Sequence, residues 1–268
     1  MAVLILASRR DAAAQNIARE LVRLKDFQPV SGTSGDLFRQ GGVYLKHVDT
    51  DGIHTNSLDA DFDVEVVIFA SRHRSESGAP TLTVHWPGNP TSKAEFGGKP
   101  KSLAHTDPPR LRAALLALDK ACAASKLNYV ASLEATHHGP TELSVPTLFV
   151  EIGSNEKEWN DAQAACAVAE AIWKAATEPA AGKSAVGFGG GHYCNKQSQA
   201  IRANGYAFGH ILSKYFFEEY DESIVRMAFN RTRGECRTAV IDWKGVRGPE
   251  RSKLLQTLSE MKMEVVRV

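Results

Sequence analysis

The stretch ASLEATHHGPTELSVPTLFVEIG, residues 131–153, sets the frame for the whole chain. Its flanks, residues 129–133 and 147–150, are short runs of β-formers. Between and beside them lie the adjacent pair His137 and His138, a Gly139-Pro140 stop, and the carboxylates Glu134, Glu142 and Glu151. A strand that ends at Glu134 delivers its last side chains to the rim of a sheet, and the Gly-Pro pair turns the chain just after the two histidines. Neutral imidazole and carboxylate both suit zinc, and either can accept a proton near neutral pH. A polar loop with two solvated histidines would read the same way in isolation, so the weight falls on whether other strand ends repeat the pattern.

They do. Residues 185–188 read as a short strand running into Gly189, Gly190 and Gly191, where backbone can approach a ligand closely, and then into His192. Residues 65–70, EVVIFA, form the continuous apolar run of a buried parallel strand and end at Ser71, Arg72, His73 and Arg74. Residues 81–86 alternate β-formers and reach His85 before Pro87, Gly88 and Pro90 break them. Ligands of open α/β sheets bind beyond the carboxyl ends of the strands, so these histidines are expected to share one crevice. No Gly-Lys-Ser/Thr follows the glycine run, which excludes a P-loop, and the absence of a His-Glu-x-x-His helix weighs against a zincin peptidase.

The remaining chain supports an α/β reading. Helices are expected over 10–25, from Pro108 onward through Ala121, over 155–177 and over 249–261, with strands at 1–7, 43–48, 236–242 and 263–268. The last three of these elements close the chain as a βαβ unit. Residues 31–42 and 49–63 are polar and irregular, and 206–220 mixes periods, with His210 among apolar neighbours. His47 and His54 are expected at the surface. Residues 87–109 make a long Gly-, Pro- and Lys-rich loop, the first candidate for phosphate contact through Lys93, Lys99 and Lys101.

With 268 residues, 43% hydrophobic and 24% charged, the chain has ample material for a core, and no boundary or linker interrupts it. It lacks any apolar run of membrane-spanning length, and its short apolar opening reads as a buried strand. Cys122, Cys166, Cys194 and Cys236 are scattered without a Cys-x-x-Cys pair, as expected of a protein in a reducing cytosol. A net charge of +1 neither demands nor excludes nucleic acid, although Arg226, Arg231, Arg233 and Arg237 and then Lys244, Arg247, Arg251 and Lys253 form local basic runs.

Five segments resemble the archaeal and plant type of D-aminoacyl-tRNA deacylase, in that family's order: SRHRSESGAPTLTVHWPGNP (71–90), GGKP (97–100), LEATHHGP (133–140), PTLFVEIGS (146–154) and GFGGGHY (187–193). The resemblance implies a zinc-dependent esterase that removes D-amino acids from tRNA, with an α/β fold related to nucleoside phosphorylases and peptidyl-tRNA hydrolases. The expectation is therefore a cytoplasmic monomer, one three-layer α/β domain over 1–268 with a mixed, largely parallel sheet. Glu134, His137, His138 and His192 are the expected catalytic residues. Zinc is assigned to His137, His138 and His192, then His73 and His85, with Glu151 as a further base or supporting carboxylate. Substrate contact is assigned to Gly189, Gly190, Gly191, Lys93, Lys99 and Lys101. Rejecting an L-aminoacyl ester needs a stiff wall, for which the glycine run and Pro140, flanked by Phe188 and Tyr193, are the candidates. The competing readings are a metal-dependent phosphorylase-like or peptidase-like enzyme, and a module that binds aminoacyl-tRNA without chemistry.

Overall fold

The computed structural model describes residues 2–33, 35–58 and 63–268. Met1 of the opening strand, Ser34 of the polar stretch 31–42, and 59–62 of the stretch 49–63 lie outside the described residues. The strands are β1 Ala2–Ser8, β2 Gln28–Pro29, β3 Leu37–Gln40, β4 Val43–Val48, β5 Val64–Arg72, β6 Thr81–His85, β7 Gly88–Asn89, β8 Ser102–Leu103, β9 Val130–Leu133, β10 Thr147–Gly153, β11 Lys183–Phe188, β12 Tyr206–Leu212, β13 Thr238–Ile241 and β14 Glu264–Arg267. The α-helices are α1 Ala12–Lys25, α2 Pro108–Ser125, α3 Glu156–Trp159, α4 Ala162–Thr177, α5 Asn195–Asn204, α6 Glu222–Asn230 and α7 Gly248–Glu260.

The largest sheet runs β2-β3-β4-β1-β5-β10-β6-β9 and is mixed. Its centre, β4-β1-β5-β10, is parallel, while β6 runs antiparallel to β10 and parallel to β9. A second sheet, β12-β11-β13-β14, is parallel throughout. The class is the α/β arrangement the sequence leads one to expect, with the strands shared between these two sheets and a small β7-β8 ribbon. Around the second sheet the three layers are explicit. Ala185, Phe208 and Val240 pack with α2 and α5, while Val186, Phe188, Ala239 and Ile241 face the side of α6 and α7.

In the main sheet, period-two alternation decides where chemistry can sit. Val3, Ile5 and Ala7 of β1, Val66, Ile68 and Ala70 of β5, and Leu148, Val150 and Ile152 of β10 join the core shared with α1, α2 and α4. The residues between them, Leu4, Leu6, Val67, Phe69 and Phe149, form a smaller cluster on the opposite face. Continuing that alternation toward the rim places Ser71 and His73, Thr83 and His85, Ser132 and Glu134, and Glu151 on the face away from the helices. Register does the rest: Glu151 of β10 lies opposite both Ser71 of β5 and Thr83 of β6, and Phe149 lies opposite His85.

Local chemistry explains where the elements differ from the sequence reading. The helix expected over 155–177 is two helices, because Asn155 caps α3 through Lys157 N and Asp161 caps α4 through Gln163 N and Ala164 N. Helices α5 and α6 are short segments that the sequence reading left unassigned. The long segment 87–109 is tied down: Gly88 N donates to His138 O, Asn89 Nδ2 to Gly97 O and Lys99 N to Thr141 Oγ1.

Arg110 locks three elements at once. It is buried and donates to Ala175 O and Ala176 O at the end of α4, to Asp107 Oδ2 at the start of α2, and to Glu65 Oε1 of β5. Removing one member of a buried charged network leaves the others uncompensated, at a cost of about 3–5 kcal/mol. Arg110→Ala is therefore expected to lower unfolding free energy by roughly that amount, read as a shift in the urea midpoint. A midpoint equal to that of the wild type would show the network to be dispensable.

Candidate active site

Five histidines and two glutamates from separate segments meet on the open face of the main sheet. Glu134 is the hub: its carboxylate lies 3.0 Å from His73 Nδ1, 3.4 Å from His192 Nε2, 3.6 Å from His137 Nε2 and 3.9 Å from His85 Nε2. Glu151 sits on the other side of the same pair, 3.6 Å from His73 Nδ1 and 3.8 Å from His85 Nε2. His138 completes the group, its ring centroid 4.4 Å from that of His137 and 4.8 Å from that of His85.

The backbone explains why these side chains converge. Beyond β9 the chain is stitched on both sides: Ala135 N donates to His192 O and Cys194 N to Leu133 O, while Gly88 N donates to His138 O. The turn holds His138 at φ 46°, a left-handed conformation that costs a non-glycine residue about 1 kcal/mol. Beneath it, Phe149 is the floor, stacked 5.3 Å from His85 and edge-on 4.9 Å from His138, and itself stacked on Phe69 at 4.6 Å. Aromatic contacts of this kind are worth about 0.5–1.5 kcal/mol each beyond burial, enough to fix ring orientation.

Two features make the group a fit for a cation. The first is tautomer control: His137 Nδ1 lies 2.8 Å from Ala135 O and His138 Nδ1 2.6 Å from Gly139 O. A proton on each Nδ1 leaves the Nε2 lone pair free, the arrangement usual for metal-binding histidine. The second is a set of buried polar atoms without hydrogen bonds, namely both ring nitrogens of His85 and both carboxylate oxygens of Glu134. His73 Nδ1 is close to Glu134 but not in hydrogen-bonding alignment with it. Buried polar atoms ordinarily find partners, so atoms like these point to an exogenous one. Donor atoms within 4.8 Å of one another form three groups: His85 with His137 and His138, His73 with Glu134 and His192, and His85 with Glu134 and Glu151.

The electrostatics divide the histidines in two. Burial opposes charge on His73, but Glu151 and Glu134 outweigh it and push its pKa up to about 10. His85 is likewise raised, burial being overcome chiefly by Glu151. In contrast, burial and then the neighbouring His85 hold His138 down to about 4, and burial among His85, His138 and His192 keeps His137 well below the ordinary range. Glu151 is buried yet stays far below a normal carboxylate because the imidazoles of His73 and His85 lie beside it, at 3.6 and 3.8 Å. Glu134 is lowered, against burial, mainly by His192 and His73. Two buried carboxylates require positive charge beside them, and imidazoles provide it either as imidazolium or by gathering around a cation.

The cluster opens into a cavity of about 740 Å³ whose walls include His73, His137, His138, Glu151 and His192, together with Asp11, Ile53, Arg72, Arg74, Phe96 and Ser154. The structure thus brings together His73, His85, Glu134, His137, His138, Glu151 and His192. It does not bring the other expected contacts there. Gly189 and Gly190 take left-handed conformations and pack against Asp242, Gly245 and Val246, and Gly191 is also absent from the cavity wall. Lys99 pairs with Glu142 and Lys101 with Asp221, Lys93 is exposed, and none of the three lines the cavity. Phe188 is buried in the second core on the far side of its sheet, and Cys194 is core, its thiol raised by burial.

Several neighbours take contacts that the sequence reading did not assign to them. Tyr193 Oη bonds His73 Nε2 at 2.9 Å, and Thr83 Oγ1 donates to Glu151 Oε2 at 3.5 Å. Trp159 Nε1 donates to His73 O and fixes that rim. His210 is a structural residue, buried with one nitrogen on Thr136 Oγ1 and the other on Ala104 O and its pKa lowered to about 3 by burial.

Residues 60–266 match a family model described as D-aminoacyl-tRNA deacylase. Proteins named D-aminoacyl-tRNA deacylase from Methanosarcina acetivorans and Pyrococcus furiosus are 36% and 34% identical to the chain. The alignments cover 99% and 98% of this chain, and 92% and 98% of those proteins. A crystal structure of a conserved protein of unknown function superposes with a TM-score of 0.91 at 33% identity, covering 99% of this chain and 95% of that one. Similarity of this extent, over the whole chain and in both sequence and fold, establishes that the chain belongs to the D-aminoacyl-tRNA deacylase family.

Proposed function

We propose that this protein, acting as one domain over 1–268, hydrolyses the ester that joins a D-amino acid to tRNA, and that it does so at the Glu134-centred cluster with zinc held by the histidines. The observation that carries the reading is the convergence of His73, His85, Glu134, His137, His138, Glu151 and His192 in one cluster, of which His73, His137, His138, Glu151 and His192 reach the cavity wall while His85 and Glu134 lie buried beneath. The cavity volume, about 740 Å³, falls in the range of pockets that enclose a ligand the size of an aminoacyl-nucleoside. The name shared by the relatives supports aminoacyl-tRNA as the substrate.

His85, His137 and His138 would hold zinc as one set, and His73 and His192 with Glu134 as a second. Zinc bound there supplies Lewis acidity and lowers the pKa of water toward about 7. His137 and His138 are ready for that role because their depressed pKa values keep them neutral without competition from protons. Glu151, held as a carboxylate by His73 and His85 and reaching the cavity wall, accepts a proton from the attacking water at Oε2. The buried Phe149 floor keeps bulk water from the far side of the rings.

Chirality is a matter of direction around one carbon. The cavity wall at His138 is stiff because the following Gly139 packs into backbone: a Cβ there would lie 2.4 Å from Gly98 N. A rigid wall rejects the enantiomer whose side chain points into it while tolerating many side chains that do not. The test is initial rates on D- and L-tyrosyl-tRNA, where the D substrate is expected to be hydrolysed about 100-fold faster. Equal rates would overturn the reading.

A further inference from the structure

Phe96 lines this cavity and has no part in the chemistry just described. The residue is 64% exposed, and of the exposed large hydrophobic residues among the described ones it alone lines the cavity. Leaving an aromatic ring in water forgoes burial worth about 1.5–3 kcal/mol, so an exposed ring on a binding cavity is an unused contact surface.

Its support is rigid. Gly139 N donates to Phe96 O at 3.0 Å, tying the ring's own backbone to the histidine turn. Gly97 follows at φ 77°, so close to the neighbouring loop that a Cβ would lie 2.0 Å from Ile53 O, and Gly98 at φ 72° would meet Gly139 Cα at 3.0 Å. Asn89 Nδ2 holds Gly97 O at 2.7 Å. An exposed ring on a mobile tip would be a surface accident, whereas this one is presented at a set place beside His137 and His138. The same wall carries Arg72, with its backbone fixed by Asp11, and the exposed Arg74.

We infer that Phe96 is the stacking platform for the unpaired terminal nucleobase of the tRNA. The inference rests on the deacylase reading and adds to it the part of the substrate that is not the amino acid. The base is attached to the same ribose as the scissile ester, so with the ester at the histidine cluster the base lies one sugar's width away, in the same cavity. Single-stranded bases are bound by stacking on aromatic rings, which tolerates any base because each has a π face. An aliphatic partner would be served equally well by leucine, and this distinguishes stacking from simple apolar contact.

The experiment uses the full-length protein as purified, with Phe96→Ala, Phe96→Leu and Phe96→Trp variants. Deacylation of D-tyrosyl-tRNA gives KM and kcat, and binding of uncharged tRNA ending in 2-aminopurine reads stacking directly through fluorescence quenching. We expect Phe96→Ala and Phe96→Leu to raise KM about tenfold, more than they change kcat, and to abolish the quench, while Phe96→Trp keeps both near the wild-type values. Unchanged KM and quench in Phe96→Ala, with hydrolysis by the wild type intact, would overturn the stacking role alone, as would a leucine variant that behaves like phenylalanine. Absence of hydrolysis by the wild type would overturn the deacylase reading itself, and the inference with it.

Discussion

Glu134→Gln is expected to lower the rate of D-tyrosyl-tRNA hydrolysis by at least about 100-fold and to lower the bound zinc of the purified protein. The magnitude follows from position. Groups that merely orient a metal ligand cost about 10–100-fold when removed, and Glu134 is nearer than that, within 4 Å of four imidazoles and with both oxygens unbonded by the rest of the protein. Glutamine keeps the shape and removes the charge, so His73 and His192 lose the carboxylate that faces them, while Glu151 continues to pair with His73 and His85. Folding should therefore survive, and thermal unfolding together with rate and metal content separates the two effects. A variant with wild-type turnover would remove Glu134 from the site.

The rim histidines were legible because each strand carries its own punctuation. Apolar or alternating runs stop at Gly or Pro, and the last polar side chain before the stop must sit at a sheet edge. That logic located His73, His137 and His138 and needed no knowledge of which strands pair; His192 comes just after its glycines, and His85, also singled out, lies within the sheet opposite Phe149 because β6 runs antiparallel to β10. The same logic could not supply register. Whether Glu151 faces the histidines or the helices depends on β10 lying between β5 and β6 with Glu151 opposite Ser71 and Thr83, and pairing of that kind is set by the packed sheet. The bond from Tyr193 to His73 and the place of Phe96 were illegible for the same reason, since Tyr193 was read only as a bulky neighbour of the glycine run and Phe96 is brought in by a glycine-to-glycine contact between distant loops.

The lysine and glycine assignments show the opposite limit. A lysine's charge announces nothing about its partner, and here Glu142 and Asp221 claim Lys99 and Lys101. Three successive glycines permit close approach without saying of what. At Gly189 and Gly190 the approaching groups belong to the turn after β13, where Gly245 would place a Cβ 2.4 Å from Gly190 N. The helix over 155–177 was divided by Asn155 and Asp161 because polar caps override a continuous apolar period, a signal that was present in the sequence and outweighed in its reading.

Metal removal is the second large effect. The cluster offers imidazole and carboxylate donors, with His137 and His138 fixed in tautomer and the buried His85 and Glu134 short of partners. Ligands of this kind need to be unprotonated, which the low pKa values of His137 and His138 secure at neutral pH. The most direct measurement is the rate of D-tyrosyl-tRNA hydrolysis by protein stripped of metal with a chelator, then dialysed and supplied with zinc. The account predicts that the stripped protein loses nearly all activity and that zinc restores it. Wild-type turnover by protein verified to contain no metal would contradict it.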